Sequence, residues 1–112
     1  MNLVEQLLKD AIDKFNARVK EDSELAKELE GVSKVVQVEV EGGEWYHFIL
    51  KGGAVDGPHK GETADPDVRI IASADTLTKL WTKELRVMKA FVTKQLRVKG
   101  SLEDLLRLKR FF

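Results

Sequence analysis

The chain has 112 residues, enough for one domain with a real core and too few for two. Charged residues make up 34% and apolar ones 43%, and the 19 basic and 19 acidic side chains cancel. That balance argues for a globular fold and against nucleic acid or an anionic bilayer as primary partner. Without cysteine there is no disulfide framework, thiolate nucleophile or cysteine zinc site, which suits a cytoplasmic location.

Residues 2 to about 19 have helical period. Leu3, Val4, Leu7, Leu8, Ala11, Ile12, Phe15 and Val19 fill one half of the wheel. Charge interrupts this segment every few residues, so it is not read as a signal peptide, and no apolar run is long enough to span a bilayer. After a break near Glu21, a short helix is expected, capped by Asp22 or Ser23 and stopped at Gly31.

"VVQVEVEGGEWYHFIL" changes the period to two, with Gly42-Gly43 as a tight-hairpin signal. A two-glycine turn would pair Val40 with Trp45, Val38 with His47 and Val36 with Ile49. His47 would then be the one polar side chain on an apolar face. It reads as a neutral core histidine bonded to a neighbour, with a head-group contact as the alternative. Residues 52–66 are rich in Gly, Pro, Asp and Lys, with one weak strand expected around Ala54–Val55. Asp56, His59, Glu62, Asp65 and Asp67 lie here, but their spacing matches no usual metal site.

"DVRIIAS" is expected to be a strand with Val68, Ile70 and Ala72 on one side. Ser73 caps a helix carrying Leu77, Leu80 and Trp81, which should end near Thr82–Glu84. A second short turn carries Leu85, Met88 and Phe91. Leu96 and Val98 alternate with charge in a last strand that stops at Gly100. Ser101 and Asp104 form a capping-box-like start. Leu102, Leu105 and Leu106 make the stripe of the final helix, expected to fray near Lys109 and leave Phe111 and Phe112 on a loose end. The order is αα–βββ–β–αα–β–α, a single α+β domain spanning residues 1–112.

Together "EWYHFILKGG", "ADPDVRIIAS" and "LTKLWTKELRVMKAFVTKQLRVKG" resemble the lipid-binding domain of the type-2 sterol carrier proteins. The Met88–Phe91 corner through Gly100 is the most specific part. Two positions where that family usually has glycine hold Lys83 and Lys94, so the backbone is expected to differ there. The resemblance implies a five-stranded, mostly antiparallel sheet with helices on one face enclosing an apolar tunnel. It implies binding or transfer of a fatty acid, acyl thioester, phospholipid or sterol-like molecule, with no cofactor and no catalysis. The matching tunnel positions are Leu77, Leu80, Trp81, Met88, Phe91, Leu102, Leu105 and Leu106.

Residue patterns alone give each of these an ordinary core role as the alternative. No nucleophile elbow, phosphate loop or dinucleotide fingerprint is present, which agrees with a non-enzymatic reading. The cations Lys94, Arg97, Lys99, Arg107, Lys109 and Arg110 read either as a solvated rim or as a weak membrane-surface docking patch. The rival function is an interaction or homodimerisation module that uses the same apolar groove.

Overall fold

The computed structural model describes residues 2–110, with side chains through Arg107. In chain order the elements are α1 (Leu3–Glu21), α2 (Ser23–Glu28), β1 (Ser33–Glu41), β2 (Trp45–Lys51), β3 (Ala54–Lys60), β4 (Val68–Ser73), α3 (Ala74–Trp81), α4 (Val87–Val92), β5 (Leu96–Lys99) and α5 (Leu102–Arg110). The five strands form one sheet ordered β3-β2-β1-β4-β5, antiparallel except for β1 against β4. The order of elements is the one the periodicities predict.

Strand β1 is central, and its even-numbered residues Val36, Val38 and Val40 face the helices. Beside them lie Tyr46, Val68, Ile70, Ala72 and Leu96 from the other strands. Val4, Leu7 and Leu8 of α1, Leu77 of α3 and Ala90 of α4 close over that layer. A smaller cluster joins Leu25 and Leu29 of the α2 turn to Leu50 of β2. Alternation in the strands and a one-sided stripe in α1 thus meet in a single two-layer core.

The hairpin register differs by one residue from the two-glycine turn. Glu39 pairs with Trp45, Val38 with Tyr46 and Val36 with Phe48. The turn is closed by the Gly43 N–H on the Val40 carbonyl, 3.1 Å, and Gly42 takes φ +70°. The odd-length connection moves every β2 side chain to the other face. Tyr46 and Phe48 therefore enter the core, and Trp45, His47 and Ile49 leave it. The Tyr46 hydroxyl accepts from Asn2 Nδ2 (2.7 Å) and donates to Glu44 Oε2 (3.2 Å), and burial raises its pKa. Asn2 also caps α1 by accepting from the Glu5 N–H, so one residue ties the first helix to β2.

Strand β3 is seven residues long where two were expected, because it does not need a period. It is an edge strand, where Pro58 costs no ladder bond. Gly57 is required: a Cβ there would sit 2.9 Å from the Phe48 Cβ. Asn16 of α1 takes the place of a missing neighbour strand. Its amide donates to the Val55 carbonyl (2.9 Å) and accepts from the Val55 N–H (2.8 Å).

The connection from β3 to β4 has to cross two strands, and it covers the sheet face that carries no helices. The His47 Nδ1 lies 2.9 Å from the Gly61 carbonyl, and the Thr63 N–H donates to Gln37 Oε1 at 2.9 Å. At its far end Asp67 exchanges two bonds with the Val35 backbone. Under this strap Gln37 and Glu39 are buried. Gln37 Nε2 donates to Glu39 Oε2 (2.9 Å), and Arg69 grips the same carboxylate through Nε and Nη2. The Arg69 hydrogen bond holds the Glu39 carboxyl below its ordinary pKa against the opposing effect of burial.

A carboxylate with a lowered folded pKa stabilises the fold above its unfolded pKa and loses that contribution as pH falls through the folded value. Glu39→Gln should therefore cost about 1–2 kcal/mol at neutral pH. It should also flatten the loss of stability expected of the wild type below about pH 5. Urea unfolding at neutral and acid pH checks this, and equal acid sensitivity in both proteins would contradict it.

Candidate functional site: the α3–α4–α5 wall

Leu77, Leu80 and Trp81 lie on α3, and Ser73 caps that helix by accepting from the Thr76 N–H. The helix ends at Trp81, where the misfit of Glu84 in the apolar stripe places the break. Helix α4 supplies Met88 and Phe91 and ends in a Schellman motif. The Lys94 N–H bonds the Phe91 carbonyl (3.1 Å) and the Gln95 N–H the Ala90 carbonyl (2.9 Å).

Lys83 and Lys94 each have φ +64°. The backbone expected to differ at these lysines instead keeps the left-handed conformation that glycine favours. Lysine pays about 1 kcal/mol or more for it.

Helix α5 begins as the Ser101 pattern predicts, with Ser101 Oγ accepting from the Asp104 N–H at 3.1 Å. It runs through Arg110, one residue past Lys109, and the loose end expected at Phe111–Phe112 lies outside the described residues. Its anchor is polar. Asp104 is buried and bonds Lys34 Nζ of β1 (3.2 Å) and Arg107 Nη1 (3.0 Å). Helix α5 packs broadly on no other element among the described residues.

The eight expected site residues divide into three groups. Leu77 is buried in the common core. Leu80 and Leu105 are half-buried, and Leu80 rests on that core. Trp81, Met88, Phe91, Leu102 and Leu106 are 37%, 54%, 49%, 73% and 54% exposed. Large apolar side chains are thus left uncovered on α3, α4 and α5, three helices successive in the chain.

An open groove of about 480 Å³ lies beside Trp81, lined by Asp10, Asp13, Lys14 and Ala17 of α1, with Lys14 Nζ 5.2 Å from the indole centre. A second groove, about 270 Å³, lies over Val40 and Tyr46 at the N-terminus of α1. Neither is an enclosed channel, and of the eight residues only Trp81 takes part.

His47, expected on the core face, is on the strap side of the sheet because of the register. Its ring centre lies 5.3 Å from that of His59, whose Nε2 is 3.0 Å from Asp56 Oδ2. Among the described residues no three His, Asp, Glu or Cys side chains converge to hold a metal ion. No helix among them is long and apolar enough to cross a membrane. The Glu39–Arg69 pair and the strap went unseen in the sequence. Only the strand-like alternation of Gln37 and Glu39 with valines hinted that this face is partly buried.

The model of the SCP-2 sterol transfer family matches residues 12–112. The chain belongs to that family. Among solved structures, it is similar to UbiJ-SCP2, described as a ubiquinone synthesis protein. Identity is 19% over 99% of this chain and 92% of that one, with a TM-score of 0.67. It is also similar to the palmitated SCP2L2 of Aedes aegypti, at 25% identity over 88% and 86% of the two chains and a TM-score of 0.59. The sec-alkylsulfatase Pisa1 of a Pseudomonas species contains a like fold at 16% identity and TM-score 0.60. There 77% of this chain is covered, and it spans only 13% of the enzyme's length. No curated protein matches the chain. The single mixed-sheet domain with helices on one face is the fold of this SCP-2 family.

Replacing Lys83 or Lys94 by glycine should stabilise the protein by about 0.5–1 kcal/mol each, since glycine relieves more strain than it adds chain entropy. Urea midpoints should rise without a change in slope. Lower midpoints would show that the lysine side chains contribute more to the fold than their backbone costs.

Proposed function

We propose that this SCP-2 family member is a non-catalytic carrier that binds one long-chain lipid between the sheet and the α3–α4–α5 wall. Leu77, Leu80, Trp81, Met88, Phe91, Leu102, Leu105 and Leu106 contact the hydrocarbon. The observation that carries this reading is that Met88, Phe91, Leu102 and Leu106 are 54%, 49%, 73% and 54% exposed on the two helices that flank β5 in the chain. These side chains gain a hydrophobic partner only if something outside the chain's own core covers them. The bound palmitate of the Aedes aegypti relative supports a fatty acyl chain as that partner.

The wall is suited to opening. Helix α4 has six residues and α5 is held mainly through Asp104, so an acyl chain can enter by displacing short helices rather than the core. Met88 adapts to different chain shapes. A large dry void would cost the empty protein roughly 7 kcal/mol for about 300 Å³, so collapse without ligand is the favoured state. Burying about 14 methylenes gains ~11 kcal/mol gross, several of which are lost to ordering. Affinity should be near micromolar or tighter, with selection by chain length more than by head group. A cytoplasmic location, consistent with the lack of cysteine, belongs to the same reading.

Titration with a fluorescent fatty acid tests the proposal, with native mass spectrometry of the purified protein to count bound lipid. One acyl chain per protein is expected. Leu106→Ser should weaken it by about tenfold, the loss expected from one buried leucine. A protein that binds no acyl chain would contradict the proposal, as would a concentration-dependent dimer that excludes lipid.

A further inference from the structure

The chain has two histidines, and the fold sets them side by side. His47 of β2 and His59 of β3 are cross-strand partners, so both side chains stand on the strap face of the sheet. The register then breaks, and Ile49 pairs with Asp56. That is two residues along β2 but three along β3, and a bulge at Gly57–Pro58 takes up the difference. In a regular strand Asp56 and His59 would point to opposite faces. The bulge brings them to the same one, where Asp56 Oδ2 lies 3.0 Å from His59 Nε2.

Each ring is held by one nitrogen. The Gly61 carbonyl, 2.9 Å from His47 Nδ1, can only accept, so Nδ1 carries the proton. The Asp56 carboxylate fixes the proton of His59 on Nε2 in the same way. In the neutral rings the lone pairs are then on His47 Nε2 and His59 Nδ1, and neither nitrogen has a hydrogen-bond partner among the described residues. A carbonyl behind one imidazole and a carboxylate behind the other is the outer arrangement that orients metal-binding histidines.

The spacing agrees. A metal ion about 2.1 Å from a ring nitrogen lies about 3.2 Å from the ring centre, and two such rings at the tetrahedral angle stand about 5.2 Å apart. The two ring centres are 5.3 Å apart. The His59 and Asp56 side chains are 42% and 79% exposed, so a hydrated ion can reach them. Lys60, next to His59, pairs with the core residue Tyr46 and turns to Glu5 on the helix side, so its charge does not face the pair.

We infer that His47 and His59 form a chelating site for a divalent transition-metal ion, with Zn²⁺ the best fit. Imidazole suits such ions, whereas Mg²⁺ and Ca²⁺ require oxygen ligands. Among the described residues no third His, Cys, Asp or Glu completes a cluster. Water therefore fills the remaining positions, and the ion exchanges more readily than in a closed four-ligand zinc site. Once bound, it ties β2 to β3 and, through the His47–Gly61 bond, holds the start of the strap. The site lies on the face away from the α3–α4–α5 wall and does not depend on the lipid-carrier reading.

Calorimetric titration of the lipid-free full chain with zinc chloride in a non-chelating buffer tests the inference. One Zn²⁺ per protein is expected, with no uptake of Mg²⁺. His47→Ala and His59→Ala should each weaken binding at least about tenfold, and Asp56→Ala about tenfold. The double histidine variant should lose little more than either single one, because a chelate is lost with its first ligand. Glu24→Ala, on α2, should change nothing. Zn²⁺ should raise the melting temperature of the wild type and leave that of His59→Ala unchanged. Circular dichroism reports whether each variant folds. The imidazole NMR signals of the wild type give a readout that needs no variant, since one equivalent of Zn²⁺ should shift both rings together. No uptake of Zn²⁺, uptake that both histidine variants retain, or a shift of neither ring overturns the inference. Fatty acid binding enters none of these measurements, so failure here and failure of the carrier reading are separate results.

Discussion

The rest of the structure depends on one ladder of side chains, Val36, Val38 and Val40 on the central strand. They are buried almost completely, and α1, α3 and α4 all pack on the layer they define. Because β1 lies in the middle of the sheet, the same ladder sets the register of β2 on one side and β4 on the other. A slip of one residue would put Gln37 and Glu39 under the helices and valines under the polar strap. The Glu39–Arg69 grip and the strap's bonds to Gln37 and Val35 oppose that slip from the second face. Hydrophobic burial on one side and a charge-assisted network on the other therefore specify the same alignment.

That arrangement explains why large apolar side chains are left uncovered on α4 and α5. The ladder is covered mainly by α1 and α3, and α1 also clamps β3 through Asn16. By the time the chain reaches α4, the central core is filled, and only Ala90 of that helix is buried in it. Val87 rests on the core from its edge, and Met88, Phe91 and Val92 remain outside. Helix α5 is tied to β1 through a buried carboxylate, and its Leu102 and Leu106 remain uncovered. In the proposed carrier reading, an acyl chain would supply the cover that the sheet no longer can.

Much of this was legible in the sequence, and the misses have physical causes. The helical stripe of α1, the Asp22 and Ser73 caps and the stop of α3 before Glu84 follow from local chemistry that tertiary structure did not override. The hairpin register did not, because two adjacent glycines permit either a two-residue turn or an odd-length one, and only packing of Tyr46 chooses. Strand β3 was hidden by Gly57 and Pro58, which an edge strand tolerates and a periodicity scan rejects. The strap was invisible because its bonds join Gly61, Thr63 and Asp67 to partners far away in the chain. For the site, the stripe of residues could be read from spacing. Whether each would be buried or exposed depends on how much sheet remains to be covered, which no local pattern records. The left-handed lysines at 83 and 94 show the same limit from the other side, since the fold retains a conformation their residue type disfavours.

Amide hydrogen exchange with and without a saturating fatty acid tests the central claim most directly, because it reports where the chain changes when lipid binds. Exchange should slow in residues 87–110, across α4, β5 and α5, with little change in the β1 ladder, which is already closed. Protection unchanged in that segment while another part of the protein responds would contradict the assignment of the α3–α4–α5 wall as the lipid site.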